Sequence, residues 1–213
     1  LPVSLQGISK SSQYFGAFFY YTFVFLGAPF FAHYQNHRIW PIFQEALSWT
    51  KRLLSFGNRK KTAYLTQRNL YKERKRFFLC LLQLCTDSQI QNHSRYNTMT
   101  EFMEDTLHSF SLHAPSDSCI VIKNHPLDNG MNDIGKACRK LSKKFGIQDR
   151  VIFIDGGRLQ GLLRPCLGVI TVNSTAGLNA LDRGKPVKVM GDALYDIDGI
   201  CHKGTLDDFW QNP

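Results

Sequence analysis

The chain has 213 residues, 43% of them hydrophobic and 20% charged, with no low-complexity tract. That composition excludes a disordered or fibrous protein and leaves one large domain, or one domain with part of another. The formal net charge is +9, but Lys51 to Arg76 holds ten Lys/Arg and one acid, Glu73, so the rest of the chain is balanced. A polyanionic partner is therefore a local question. Nucleic acid, an anionic membrane surface or an acidic glycan would each fit this window, and so would plain solvent on a basic helix face.

There is no initiator methionine and no signal-peptide layout. No charge occurs between Lys10 and His33, and FGAFFYYTFVFLGAPFFA is dense in aromatics. Residues 14–32 are long enough to span a bilayer but poor in Leu and Ile, with Pro29 near the end. A transmembrane helix and a buried or interfacial segment both stay open. Residues 33–76 read as helical, amphipathic and basic. FFLCLLQL (77–84) is a continuous apolar run of strand length. Thr98 and Glu101 have capping-box spacing and open a helix to about His113, with Phe102, Met103, Leu107 and Phe110 on one face.

CIVIK (119–123) is a predicted strand, and 133–145 a helix closed by Gly146. RVIFI (150–154) is a strand, 158–166 a short helix, GVITV (168–172) a strand, 175–183 a helix closed by Gly184, and PVKVM (186–190) a strand. Strands alternating with helices on short connections predict an α/β, Rossmann-like parallel sheet covered on both faces. The expected division is a partial N-terminal helical segment, 1–76, and a Rossmann-like domain, 77–213. Six cysteines lie scattered without CxxC or metal-ligand spacing, as expected of reduced thiols in a reducing compartment.

Ligands of such sheets bind at the carboxyl ends of the strands, and the polar clusters fall there. After the first strand comes CTDSQ (85–89), after the second Asn124-His125-Pro126, after the third Asp155-Gly156-Gly157, and after the fourth NSTAG (173–177); Gly191, Asp192, Tyr195 and Asp196 follow the last. In NSTAG, helix-start N–H groups and the hydroxyls of Ser174 and Thr175 favour a phosphate, with Gly177 permitting close approach; equally, either hydroxyl caps the helix. Pro126 biases His125 to an extended backbone, so its imidazole can point into the crevice as donor or cation, with Lys123 adding charge. Asp87, flanked by Gln83 and Gln89, would serve as nucleophile, base or partner of an oxocarbenium ion, or as an Asx turn or cap. No GxxxxGK[ST], GxGxxG or GxSxG occurs, against a P-loop, a dinucleotide site and a hydrolase elbow; no DxD-type pair ends a strand, which suggests a donor that needs no bound metal.

The segments LLQLCTDSQI, VIKNHPLDNG, RVIFIDGG, GVITVNSTAGLNALDRGKPVKVMG and LYDIDGI, with LDDFW near the end, together resemble the bacterial capsule polysaccharide synthesis and export family, in its KpsS-type branch, related to the KpsC-type. The resemblance runs from about Phe77 onward. It implies a GT-B-type glycosyltransferase whose C-terminal, donor-binding domain is 77–213, and a retaining β-Kdo transferase that takes CMP-Kdo and needs no metal. The implied acceptor is a lysophosphatidylglycerol- or phosphatidylglycerol-type lipid, and the product the Kdo linker of capsular polysaccharide. By the same resemblance His125, Ser174 and Thr175 hold the CMP phosphate, Asn173 supports the turn, and Asp87 is the catalytic carboxylate with Gln83 or Gln89 beside it.

The implied setting is cytoplasmic and peripheral to the inner membrane, beside other capsule assembly proteins, with no nucleic acid. The family often carries a second histidine where this chain has Asn124, which implies fewer phosphate contacts. The start without methionine and the stop at Pro213 suggest a fragment or truncated homologue, with impaired turnover. The competing expectation is a non-catalytic capsule assembly or export module that docks on an anionic membrane or a partner through residues 51–76.

Overall fold

The apolar run after Lys75 forms the central strand of a five-stranded sheet. In the computed structural model, which describes residues 16, 19–20, 22–24, 26–27, 30, 40–84 and 88–213, β1 spans Arg76–Leu81 and β2 spans Ser118–Lys123. β3 is Val151–Ile154, β4 Val169–Thr171 and β5 Val187–Val189. All neighbours are parallel, in the order β3-β2-β1-β4-β5. The chain thus builds outward from β1 through β2 to β3, then returns to the other side of β1. The order reverses between β1 and β4, which is where a ligand crevice opens in such sheets.

The strand side chains divide by alternation. Phe78, Cys80 and Leu82 enter one apolar cluster, while Phe77, Leu79 and Leu81 enter the other. β2 and β4 divide likewise, with Ile120, Ile122 and Ile170 on the first side and Cys119, Val121 and Val169 on the second. Both faces are buried, so these strands are continuous apolar runs rather than alternating ones.

The helices that cover the sheet follow from local signals. α1 is Ile42–Leu54, α2 Phe56–Lys72, α3 Ser88–His93 and α4 Met99–His113. The Thr98 side chain accepts from the Glu101 N–H at 3.2 Å, and Phe102, Met103, Leu107 and Phe110 are all buried. The Glu101 carboxylate bonds the Asn97 N–H rather than that of Thr98, a capping box displaced by one residue. α5, Ile134–Lys144, is capped by Asp133, and Gly146 beyond it takes φ +68°. α6 is Leu159–Leu163, α7 Ala176–Leu181 and α8 Leu206–Gln211. α3, α4, α5 and α8 contribute to the first cluster; α2, α6 and α7 contribute to the second.

The chain forms two units, Leu1–Lys51 and Arg52–Pro213. The sheet-bearing unit therefore starts at Arg52, upstream of the expected 76/77 boundary, because α2 buries Ala63 and Leu70 in the second cluster. Most of the aromatic stretch 14–32 lies outside the described residues; among those described, no helix is long and apolar enough to cross a membrane.

Cys80, Cys119, Cys138, Cys166 and Cys201 are free and buried; Cys85 lies outside the described residues. Burial pushes the Cys138 and Cys166 thiols up from 9.0 to about 11. The fold favours the protonated thiol, so this contribution is intact below pH 9.0 and is lost as pH rises towards about 11. Alkylation at about pH 8 is expected to spare both thiols in the native protein and modify them in urea, and the urea midpoint is expected to fall as pH climbs through that interval.

Candidate functional site

The site is built where β1 and β4 end. Leu81 pairs with Lys123 of β2 and with Thr171 of β4. Two residues beyond that row stand Gln83, His125 and Asn173. They follow three adjacent strands, β1, β2 and β4. The Gln83 side chain donates to Asn173 Oδ1 at 2.9 Å, and its Oε1 accepts from the Asn173 N–H at 3.1 Å. Gln83 is buried at 7% exposure, so this two-point lock closes the switch point without water. Asn173 Nδ2 also donates to the carbonyl of His93, the last residue of α3, at 3.3 Å. Gln83 before the CTDSQ segment and His93 after it are thus both fastened to Asn173.

Cutting this lock has a measurable cost. Gln83→Ala removes the bonds to the Asn173 N–H and to Asn173 Oδ1, and is expected to lower unfolding free energy by about 1–3 kcal/mol in a urea titration. Gln83→Glu keeps the acceptor and loses the donor, and is expected to recover part of that loss.

The NSTAG turn is tightly used. Ser174 Oγ accepts from the Ala176 N–H at 3.2 Å, and the Ser174 carbonyl accepts from the Gly177 N–H at 2.9 Å. Ser174 therefore performs the capping role that competed with phosphate binding, though its own O–H remains a donor. Thr175 is exposed and its side chain makes no cap. Gly177 departs from expectation. What approaches it closely is Tyr195, since a Cβ at Gly177 would lie 2.4 Å from the phenol oxygen. Tyr195 in turn donates to the Ser174 carbonyl, and burial raises its pKa well above the ordinary phenol value.

At the tip of β2 the NHP turn is held from several sides. Asn124, 4% exposed, accepts the His125 N–H at 2.9 Å and donates to Asp128 at 3.0 Å and Asp155 at 3.4 Å. His125 Nδ1 accepts from the Leu127 N–H at 3.1 Å. With Nδ1 accepting there, Nε2 is the ring position left to donate. Lys123, expected to add charge for a phosphate, is buried at 6% exposure and its Nζ donates to the Gly156 carbonyl at 2.6 Å. Desolvation makes a partner obligatory for a buried ammonium, and the β3 loop supplies one.

Arginines from α1 and α2 complete this end. Arg52 grips Asp155 through both terminal nitrogens at 3.0 and 3.1 Å and reaches Asp128 at 3.4 Å. Arg59 lies 3.5 Å from Asp155 and donates to the Arg52 carbonyl at 2.8 Å. These two arginines, with Asp128 and the locking role of Asn124, were missed by the strand-tip argument, which named Tyr195 at the last strand tip but gave it no role. Arg52, Ser55 and Arg59 do recur at helical spacing across the junction of α1 and α2, and that spacing was the available signal. Asp87 lies outside the described residues, as does the side chain of Gln89.

The family model for capsule polysaccharide biosynthesis proteins matches residues 11–213. The capsule polysaccharide export protein KpsS of Escherichia coli is 38% identical over 186 residues, covering 85% of this chain and 47% of KpsS. The capsule polysaccharide modification protein LipB of Neisseria meningitidis serogroup A is 40% identical over 139 residues, covering 65% of this chain and 33% of LipB. The chain spans less than half the length of either relative. Among solved structures, the KpsC beta Kdo 2,7 transferase of Thermosulfurimonas dismutans aligns with a TM-score of 0.46 at 20% identity, over 75% of this chain and 55% of that one.

Proposed function

Because the chain belongs to the capsule polysaccharide biosynthesis family, we propose that it is the donor-binding part of a GT-B-type glycosyltransferase that uses CMP-Kdo to build a lipid-linked Kdo linker with retention. The observation that supports this reading is the bond between Gln83 and Asn173 at the switch point, with Ser174 and Thr175 directly after Asn173 and His125 following the neighbouring strand β2.

The chemistry asked of these residues is modest. When the bond from the anomeric carbon to CMP breaks, the electron pair leaves with the phosphate. A monophosphate carries less charge than a diphosphate, and an imidazole N–H with two hydroxyls can stabilise it without a divalent cation. Asp87 supplies the electron pair that bonds the anomeric carbon from the opposite side. An acceptor hydroxyl of a phosphatidylglycerol-type lipid then displaces the carboxylate and loses its proton, and the two inversions sum to retention. The protein works at the cytoplasmic face of the inner membrane, where donor and lipid acceptor meet.

Titration with CMP tests the reading directly. Saturable binding that excludes purine monophosphates is expected, followed by CMP release from CMP-Kdo when a lysophosphatidylglycerol acceptor is added, unchanged by EDTA. No binding of CMP at millimolar concentration sinks it and leaves the non-catalytic assembly module. His125→Ala is expected to weaken CMP binding about tenfold, the worth of one hydrogen bond to an ionised phosphate.

A further inference from the structure

Four of the ten cations between Lys51 and Arg76 are already committed. Arg52 and Arg59 pair with Asp155, Lys75 with Glu73, and Arg76 with Asp117. The rest do not form a general basic window. α2 has two faces of different character. Its inner face carries Ser55, Arg59, Ala63 and Leu70, which bond or bury against the sheet-bearing unit. Its outer face carries Lys60, Lys61, Tyr64, Leu65 and Arg68, all exposed. Their spacings of three, four and eight residues place them on one stripe. α2 contains no acid, and none of these three cations has an acidic partner among the described residues.

The apolar members decide what such a stripe suits. Tyr64 is 62% exposed and Leu65 42%. A solvated helix face would carry polar groups at these positions. A single-stranded nucleic-acid platform would offer aromatic rings in succession, and an aliphatic side chain stacks on no base. Cations interleaved with a tyrosine and a leucine match the boundary of an anionic bilayer. There the cations meet headgroup phosphates, the phenol sits at the headgroup level and the aliphatic groups enter the acyl edge.

We propose that the outer face of α2, through Lys60, Lys61 and Arg68 with Tyr64 and Leu65, docks this protein on an anionic phospholipid surface. The inner face of the same helix is fastened through Arg59 to Asp155 at the tip of β3. Docking by the outer face therefore fixes the strand-tip side of the sheet relative to the lipid surface. The inference stands apart from the nucleotide-sugar reading: absence of CMP binding would end that reading and leave this one intact.

Co-sedimentation of the full chain with vesicles tests it, using phosphatidylcholine alone and phosphatidylcholine with phosphatidylglycerol. Binding is expected only when phosphatidylglycerol is present, and is expected to weaken as salt rises. The triple variant Lys60→Glu, Lys61→Glu, Arg68→Glu is expected to lower partitioning at least about tenfold. Lys60→Arg, Lys61→Arg, Arg68→Lys keeps the charge and is expected to keep the binding. Tyr64→Ser with Leu65→Ser is expected to remove the part that survives high salt. Should the reversed triple variant unfold in a thermal melt, the Gln triple variant reads the same loss. Equal binding to pure phosphatidylcholine, unchanged binding by a folded charge-reversed or Gln variant, or tighter binding to an RNA oligomer than to anionic vesicles would each overturn the proposal.

Discussion

Asp87→Asn is expected to lower CMP release from CMP-Kdo by at least about a thousandfold while leaving CMP affinity within about twofold, since removing the group that bonds the reacting carbon raises the barrier without touching donor binding. The substitution keeps size but replaces one acceptor oxygen with an NH2 donor and removes the anionic nucleophile that the proposed retaining displacement requires. Gln83 and the carbonyl of His93, which flank the segment carrying Asp87 in the sequence, are both fastened to Asn173, the residue that opens the NSTAG turn. His125→Ala is expected to show the reverse split, with weaker binding and a smaller loss in the chemical step. Quantifying CMP release under saturating donor separates the two. An Asp87→Asn protein that turns over normally would remove this carboxylate from the mechanism.

Trp210→Ala is expected to cost about 3–5 kcal/mol of unfolding free energy, the range for deleting a large buried aromatic. Trp210 is 1% exposed and meets Phe78 and Phe110 edge-on, with ring centroids 4.9 and 5.2 Å away. Its Nε1 donates to Ser109 Oγ at 2.7 Å, and Ser109 donates to Asp207. Deletion would leave a cavity between β1, α4 and α8 and take away the donor to Ser109 Oγ. Trp210→Phe keeps most of the packing and loses the hydrogen bond, with an expected cost of about 1–2 kcal/mol. Urea unfolding followed by far-UV circular dichroism measures both; equal stability of the Ala variant and the parent would show that α8 is peripheral to the fold. The LDDFW segment, one of the motifs that carried the family resemblance, is thereby explained as structure: Thr205 and Asp208 cap α8 reciprocally, and Phe209 and Trp210 close the core.

The strands and most helices were legible because their causes are local. A strand buried on both faces must be apolar at every position, so FFLCLL and CIVIK announce themselves without any partner. Thr98 with Glu101 and Asp133 before α5 mark helix starts through hydrogen bonds that span only a few residues. The strand tips were legible for the same reason: polar residues directly after such runs have nowhere to go but the carboxyl edge.

What these polar residues do was less legible. Lys123 reads as a phosphate cation but is a buried ammonium that must bond the β3 loop, and Gly177 reads as an opening for a ligand but is filled by Tyr195. In each case the competing partner comes from a distant part of the chain.

The sequence by itself determined that this protein is a parallel α/β sheet with its polar chemistry gathered at one edge, since burial and capping are written in neighbouring residues. Only the tertiary structure decided the strand order, the lock between Gln83 and Asn173, 90 residues apart, and the grip of Arg52 on Asp155, 103 residues apart. The physical reason is that a hydrogen bond or ion pair across such a separation leaves no periodicity in the chain; it exists only once the apolar strands have packed and carried both partners to the same tip.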